Sequence, residues 1–349
     1  MRWLVSALVF LLTLPGWAAF TERYVTSAAS GGGVGTEGDP WTVAEAASSG
    51  VAGDRINVQS DSGYTLGSTT LSSPGTAAAL LVWRGYDTVI GDLEGLGRNA
   101  DGTLVVTGFP VFTMSGSFVP SAFSIVQNIS FTGAINSPIF GNTAVDNWKL
   151  VSCNVLNTNS GGSTYGVRGD NSATLINCDV ECSGATSVAT FNADATPLVF
   201  GCRLKGTGNL CSAAAIRVYN TVFIGDGSAK GVVVENNNGI EEVIGCTFYN
   251  LATAFQRPNS APGKEILLIN NHVTDSTKWL DNLYSGTGNV AVVEINSRTR
   301  DNTTPRTGID GINISEVTTD TGGAETDYVD AGSDNLRLIS GAPGEAAVA

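Results

Sequence analysis

The chain has 349 residues, of which 14% are charged, and a formal net charge of −14. That balance disfavours nucleic acid and anionic membrane surfaces as partners, and acidic polysaccharides unless a bound cation bridges the two. A single histidine, His272, excludes His-ligated zinc and paired-histidine catalysis. The 43 glycines, with abundant Ser, Thr, Asn and Val, favour turns and strands over helices.

Met1 and Arg2 form a short basic start, followed by the apolar run "WLVSALVFLLTLPG". Gly16 and Ala18 stand at −3 and −1 of a cleavage point after Ala18. The segment is too short to span a bilayer and reads as a secretory signal peptide, residues 1–18. Without it the chain is one unit more negative, and no later stretch is long enough to cross a membrane. The next segment, 19–54, is a glycine-rich lead-in and a short helical stretch, "TVAEAASS" (42–49).

From residue 55 one phrase returns along the chain: "LVSCNV", "LINCDV", "VFGCRL", "VYNTVF", "VIGCTF", "LINNHV". Aligned on the residue after Asn, Ser or Gly, the column reads Ile129, Cys153, Cys178, Cys202, Thr221, Cys246 and Asn271. The spacings are 24, 25, 24, 19, 25 and 25 residues. Residues two before and two after are mostly apolar as well, so the phrase reads as a strand with period-2 alternation and all three positions facing inward. Weaker copies, "RINV" (55–58), "ALLVW" (79–83), "TLVV" (103–106) and "NVAVV" (289–293), bring the series to about eleven turns of about 24 residues. A leucine-rich repeat has a similar period, but the core here is Val, Ile, Phe and Cys, and the connecting segments lack helical periodicity. Each repeat holds a second apolar run, such as "SPIF", "SVATF", "GVVV", "TAF" or "KWL". Two or three strands per repeat joined by polar turns describe a coil of parallel strands. After about residue 300 the pattern gives way to a turn-rich and then acidic stretch, read as a C-terminal cap or tail (301–349).

The recurring N-C-x-[VF] phrase and the capped start resemble the right-handed parallel β-helix proteins, the architecture of pectate lyases, polygalacturonases and many phage tailspikes. The resemblance covers roughly residues 22–300. It implies an all-β, single-stranded right-handed parallel β-helix (a solenoid) with an N-terminal capping helix. It also implies a glycan partner and, for an enzyme, polysaccharide lyase or glycoside hydrolase chemistry with Ca²⁺ as the cofactor to consider. The family's sharper signals are missing: there is no adjacent Asp pair, no Gly-His-Gly, and only a fragment of the Arg-Pro pattern in "QRPN" (256–259). The cysteines of the column are small, apolar and suited to burial. Stacked parallel strands disfavour bridging geometry, so the column should hold free thiols. Cys182 and Cys211, off the column, are the one pair to consider for a disulfide.

The position after the column faces outward and reads Ser130, Asn154, Asp179, Arg203, Val222, Thr247 and His272. Asp179 therefore stacks beside Arg203 on the next coil, Glu181 beside Lys205 and Arg217 beside Glu242. The resemblance makes Asp179 and Glu181 candidates for a Ca²⁺ ligand or general base and Arg203 a base or charge clamp, with Lys205 completing the quartet. The residues alone read first as a ladder of cross-coil ion pairs of about 0–1 kcal/mol each. Tyr165, Tyr249, Trp279 and Tyr284 fall near outward or turn positions, where the rings either fill buried corners, the plainer reading, or offer faces on which sugar rings stack, whereas Trp148 and Phe200 read as core. The acidic tail (Glu316, Asp320, Glu325, Asp327, Asp330, Asp334) lacks an EF-hand pattern and reads as a solvated charge run. Two functions survive: a secreted β-helix protein that binds, and as an enzyme cleaves, a polysaccharide along one face, or a non-catalytic structural or adhesive surface or virion protein. Oligomeric state is not legible.

Overall fold

The computed structural model describes residues 20–141, 147–161, 164–169, 173–184, 187–191, 196–234, 241–257, 266–282, 291–295, 298–300, 306–307, 313–314, 328–330 and 335–338. The leader, Tyr284 and most of the acidic tail lie outside these residues. Among the described residues no helix is long and apolar enough to cross a membrane.

Helix α1 (Val43–Ser49) closes the N-terminal end. Thr42 caps it in a reciprocal box with Glu45, and Val43, Ala46 and Ala47 are buried against the first coils. The chain then winds as a parallel β-helix, each coil giving one strand to each of three sheets. Among the described residues the first sheet has twelve strands, and the second and third have ten each. Every pairing in these three sheets is parallel; the antiparallel pair Tyr328–Asp330 with Asn335–Leu338 stands apart in the tail. The ten triplets fall one short of the expected turns because "TLVV" (103–106) is not a rung. It lies in an insertion, residues 87–110, between strands Leu81–Tyr86 and Val111–Met114.

The recurring phrase is a corner between the first and second sheets, not a continuous strand. The residue before the column is left-handed in seven successive coils: Asn128, Ser152, Asn177, Gly201, Asn220, Gly245 and Asn270 have φ between 48° and 66°. Asn and Gly tolerate this region best, which explains the residue choice. One left-handed residue breaks the alternation. Column residues such as Cys178 stay inward, as do those three positions earlier such as Leu175, all at 0–2% exposure. The position two before the column, expected to face inward, faces outward instead. Phe200, read as core, is 44% exposed there. Trp279, read as an outward stacking residue, is fully buried beside Phe248, while Trp148 is core as expected.

The corner also accounts for the cysteines. The backbone N–H of the column residue has turned away from the sheet ladder, and the column side chain of the next coil accepts it. Cys178 N–H donates to Cys202 Sγ (3.4 Å), Cys202 N–H to Thr221 Oγ1 (3.3 Å) and Cys246 N–H to Asn271 Oδ1 (3.1 Å). The thiols and the hydroxyl in turn donate to the carbonyl two residues earlier: Cys178 to Ile176 (3.3 Å), Cys202 to Phe200 (3.4 Å) and Thr221 to Tyr219 (3.0 Å). Cys, Thr and Asn share what the position needs, namely small size and a polar atom that can accept.

All six cysteines are buried and free, Cys182 and Cys211 included. Burial pushes the Cys178 and Cys202 thiols well above the usual range, and that of Cys246 to about 12. A thiol reagent at neutral pH should therefore leave native protein unmodified and label six cysteines after denaturation. A disulfide found by non-reducing mass spectrometry, or rapid labelling of the native chain, would contradict this packing.

Candidate functional site

The expected quartet assembles in register on the outer face of the second sheet. Asp179 pairs with Arg203 and Glu181 with Lys205, on strands Asp179–Cys182 and Arg203–Gly206. Arg217 and Glu242 are likewise neighbours, 3.7 Å apart on the first sheet. These faces are outward, yet Asp179 and Arg203 are only 5% and 7% exposed.

The insertion is what covers them. Gly108, left-handed against Asp87, closes its base, and it carries a small core of its own, Leu93, Leu104 and Phe109. Its return passes Gly85, where a Cβ would lie 2.0 Å from the Asn128 carbonyl oxygen. Arg98 reaches the rod and makes a short ion pair with Asp179. The other Asp179 oxygen accepts Leu104 N–H at 2.7 Å, and Arg98 also donates to the carbonyls of Gly102 and Gly201, both at 2.8 Å. Asp101 is held below its usual carboxylate range by the hydroxyl and N–H of Thr103, with the charge of Arg203 adding to the effect. Arg203 lies 3.6 Å from Glu181. Charges thus alternate between insertion and rod: Arg98 on Asp179, Asp101 toward Arg203, Arg203 on Glu181. Glu181 and Lys205 are the more exposed members of the quartet.

This arrangement does not fit a divalent cation at Asp179, because both carboxylate oxygens already accept donors and two guanidinium groups flank it. Among the described residues no cluster of three or more carboxylate, histidine or cysteine side chains is placed to hold a metal ion. Asp179 and Arg203, facing Arg98, Leu104 and Asp101 of the insertion, have the geometry of a fastening.

What it fastens is the wall of two clefts on the outer face of the first sheet, near the capped end. One, about 470 Å³, has Arg55, Arg84, Glu94 and Phe20 among its lining. Here Arg84 is neutralised on several sides: Nε and Nη2 donate to Asn57 Oδ1 (3.1 and 2.8 Å), and Nη1 donates to Glu94 (2.7 Å). The other, about 450 Å³, lies between the lead-in and the insertion, with Tyr24, Tyr86, Gln59, Thr26, Glu37 and Thr88 in its lining. Burial first, then neighbouring charges including Glu37, raises the Tyr24 and Tyr86 phenols, so both remain hydroxyl donors at neutral pH.

The sequence does not single out either cleft. Tyr24, Glu37, Gln59 and Tyr86 precede the clear repeats and meet only through coil stacking. Of the aromatic residues singled out for sugar stacking, Tyr165 and Tyr249 are half-buried, and Tyr165 lies 5.3 Å below the Arg168 guanidinium. A separate polar row on the outer face of the third sheet, including Thr190, Ser212, Gln256 and Asp281, is buried, with Lys278 and Gln256 both on Asp281.

No family model and no curated protein matches the chain. Among solved structures it is similar to the crystal structure of pectate lyase Pel9A. The TM-score is 0.53 at 11% identity, over 93% of this chain and 91% of that one. The likeness establishes the fold, a pectate-lyase-like parallel β-helix.

If Asp179 is the anchor of the insertion, Asp179→Asn and Arg98→Ala should raise proteolytic cleavage within residues 88–103 by about tenfold or more, since hydrogen bonds to charged groups contribute roughly 1.5–3 kcal/mol. The main unfolding transition should move little, because the rod's core is untouched. Unchanged cleavage in both variants would contradict the anchoring role.

Proposed function

We propose that the protein is secreted through its N-terminal leader and binds a neutral polysaccharide, without cleaving it, in the cleft between Tyr24, Tyr86 and the insertion wall. The observation that carries this reading is the lining of that cleft. Two tyrosines, three neutral polar side chains and one carboxylate, with Val89 and Ile90 beside them, combine ring faces with hydrogen-bonding groups, the chemistry a sugar ring meets on its apolar face and at its hydroxyls. The pectate-lyase-like fold supports a polysaccharide as ligand. The strong negative charge supports a neutral one, because an acidic polymer would be repelled.

The quartet supports binding rather than turnover. Asp179 is engaged by Arg98 and Leu104, and Arg203 by Glu181, so a proton-abstracting group there would first have to release the insertion. In this reading Asp179 and Arg203 keep the cleft wall in place through Arg98, Leu104 and Asp101, the part an adhesive or binding protein requires, while Glu181 and Lys205 lie at the more exposed edge.

The test is affinity electrophoresis against a panel of neutral and acidic polysaccharides, scored also for new reducing and unsaturated ends. Binding to a neutral polymer without new ends is expected. Tyr24→Ala should weaken it about tenfold, roughly 1.4 kcal/mol, while Glu181→Gln binds as the parent does. New chain ends, or loss of binding in Glu181→Gln with Tyr24→Ala unaffected, would move the function to the second sheet and overturn this reading.

A further inference from the structure

Among the described residues, the outer face of the first sheet carries an apolar strip that no other element covers. Because the position two before the column faces outward, Gln127, Val151, Ile176, Phe200, Tyr219, Ile244 and Ile269 stack in one unbroken register. A second row runs beside it, two residues earlier on each strand: Ile125, Lys149, Thr174, Leu198, Arg217, Glu242 and Leu267, apolar at its centre and two ends and polar between. Seven coils at about 4.8 Å make the strip about 29 Å long. Aside from Phe200 its aliphatic and aromatic members are half-buried, each leaning on its neighbours. A continuous row of this kind on an otherwise polar rod is a candidate protein-docking surface, with Phe200 as its exposed centre.

We infer that its partner is a second copy of this chain, packed antiparallel about a two-fold axis that runs along the strand Leu198–Phe200. Such an axis keeps each row facing itself and inverts the order of the coils. Phe200 then meets Phe200 and Leu198 meets Leu198. One coil out, Ile176 faces Tyr219; two coils out, Val151 faces Ile244. In the second row, three coils out, Ile125 faces Leu267.

The charges follow the same symmetry. Two coils out, Lys149 of one copy faces Glu242 of the other, beside that copy's own Arg217 at 3.7 Å from the carboxylate. One coil out, Arg217 faces Thr174, and the axis repeats both contacts. Lys149 is exposed and has no ion pair within its own chain among the described residues. The alternative two-fold, along the rod, keeps coils level and exchanges the rows. It would set Lys149 against Val151 and Glu242 against Ile244, placing charges on aliphatic side chains with no opposite charge across the interface. The strip is thus self-complementary in one orientation and not in the other. At its capped end the cleft of about 470 Å³, lined in part by Ile125, Gln127 and Val151, is where Leu267 and Ile269 of the second copy arrive.

The strip is narrow, two rows across seven strands, and smaller than the roughly 800 Å² per partner of a standard interface, so the dimer should be concentration-dependent, in the micromolar range. Sedimentation velocity of the full chain from about 1 to about 500 µM should show a monomer–dimer equilibrium. Phe200→Asp should leave a monomer throughout, and Lys149→Glu should weaken association at least about tenfold by setting like charges together twice. Orientation is read separately. Under mild oxidation Phe200→Cys should form a disulfide-linked dimer, because the residue meets its own copy, whereas Ile125→Cys should not, because its copy lies about 29 Å away. A chain that stays monomeric over the whole range, or one that cross-links through Ile125→Cys and not Phe200→Cys, overturns the inference.

Discussion

The hydrogen bond that crosses each corner from one coil to the next governs most of what this molecule presents to its surroundings. A parallel coil with a sharp corner must place one residue in the left-handed region, and the N–H that follows leaves the sheet ladder inside a dry core. An unmet donor there costs about 1–3 kcal/mol, repeated at every coil. A small side chain with an accepting atom, supplied by the next coil, removes that cost at Cys178, Cys202 and Cys246. The bond joins stacked coils, so it also fixes their register. A slip by one residue would leave both donor and acceptor unmet.

Everything outside follows from where that corner falls. It turns one row of each first-sheet strand outward, creating the apolar strip, and it sets Asp179, Glu181, Arg203 and Lys205 in register on the next face. The insertion departs at this same corner in the coil of strand Leu81–Tyr86. It stays at the corner and reaches Arg98 down to the Asp179 coil, so its own small core need not merge with that of the rod. Fold and candidate site are therefore linked. The rod supplies a rigid ladder of anchoring points, and the insertion turns a flat sheet face into two walled clefts.

Much of this was legible in the sequence where it rests on repetition. The column Cys153, Cys178, Cys202, Thr221, Cys246 is buried as its spacing implies, and Asp179 meets Arg203 in the expected register. What was not legible rests on geometry within the repeat or on contacts far apart in the chain. Alternation was carried through the corner, which placed Phe200 inside when the left-handed Gly201 in fact turns it out. "TLVV" has the composition of a strand, but Leu104 serves the insertion's core and donates its N–H to Asp179, 75 positions away. Arg98 lies 81 positions from Asp179, with no periodicity to connect them. The accepting role of the cysteines was hidden because a thiol in a column reads first as a small apolar side chain.

The corner bond can be isolated at one position with two nearly isosteric side chains. Cys202→Thr keeps an oxygen where Cys178 N–H donates, as Thr221 already does for Cys202. Cys202→Val has the same shape and no acceptor. Urea unfolding of the two variants compares them directly, and the bond predicts that the threonine protein is more stable by about 1–3 kcal/mol. If the valine protein equals or exceeds it, the column is held by apolar packing alone, and the corner bond is not what sets the register of the coils.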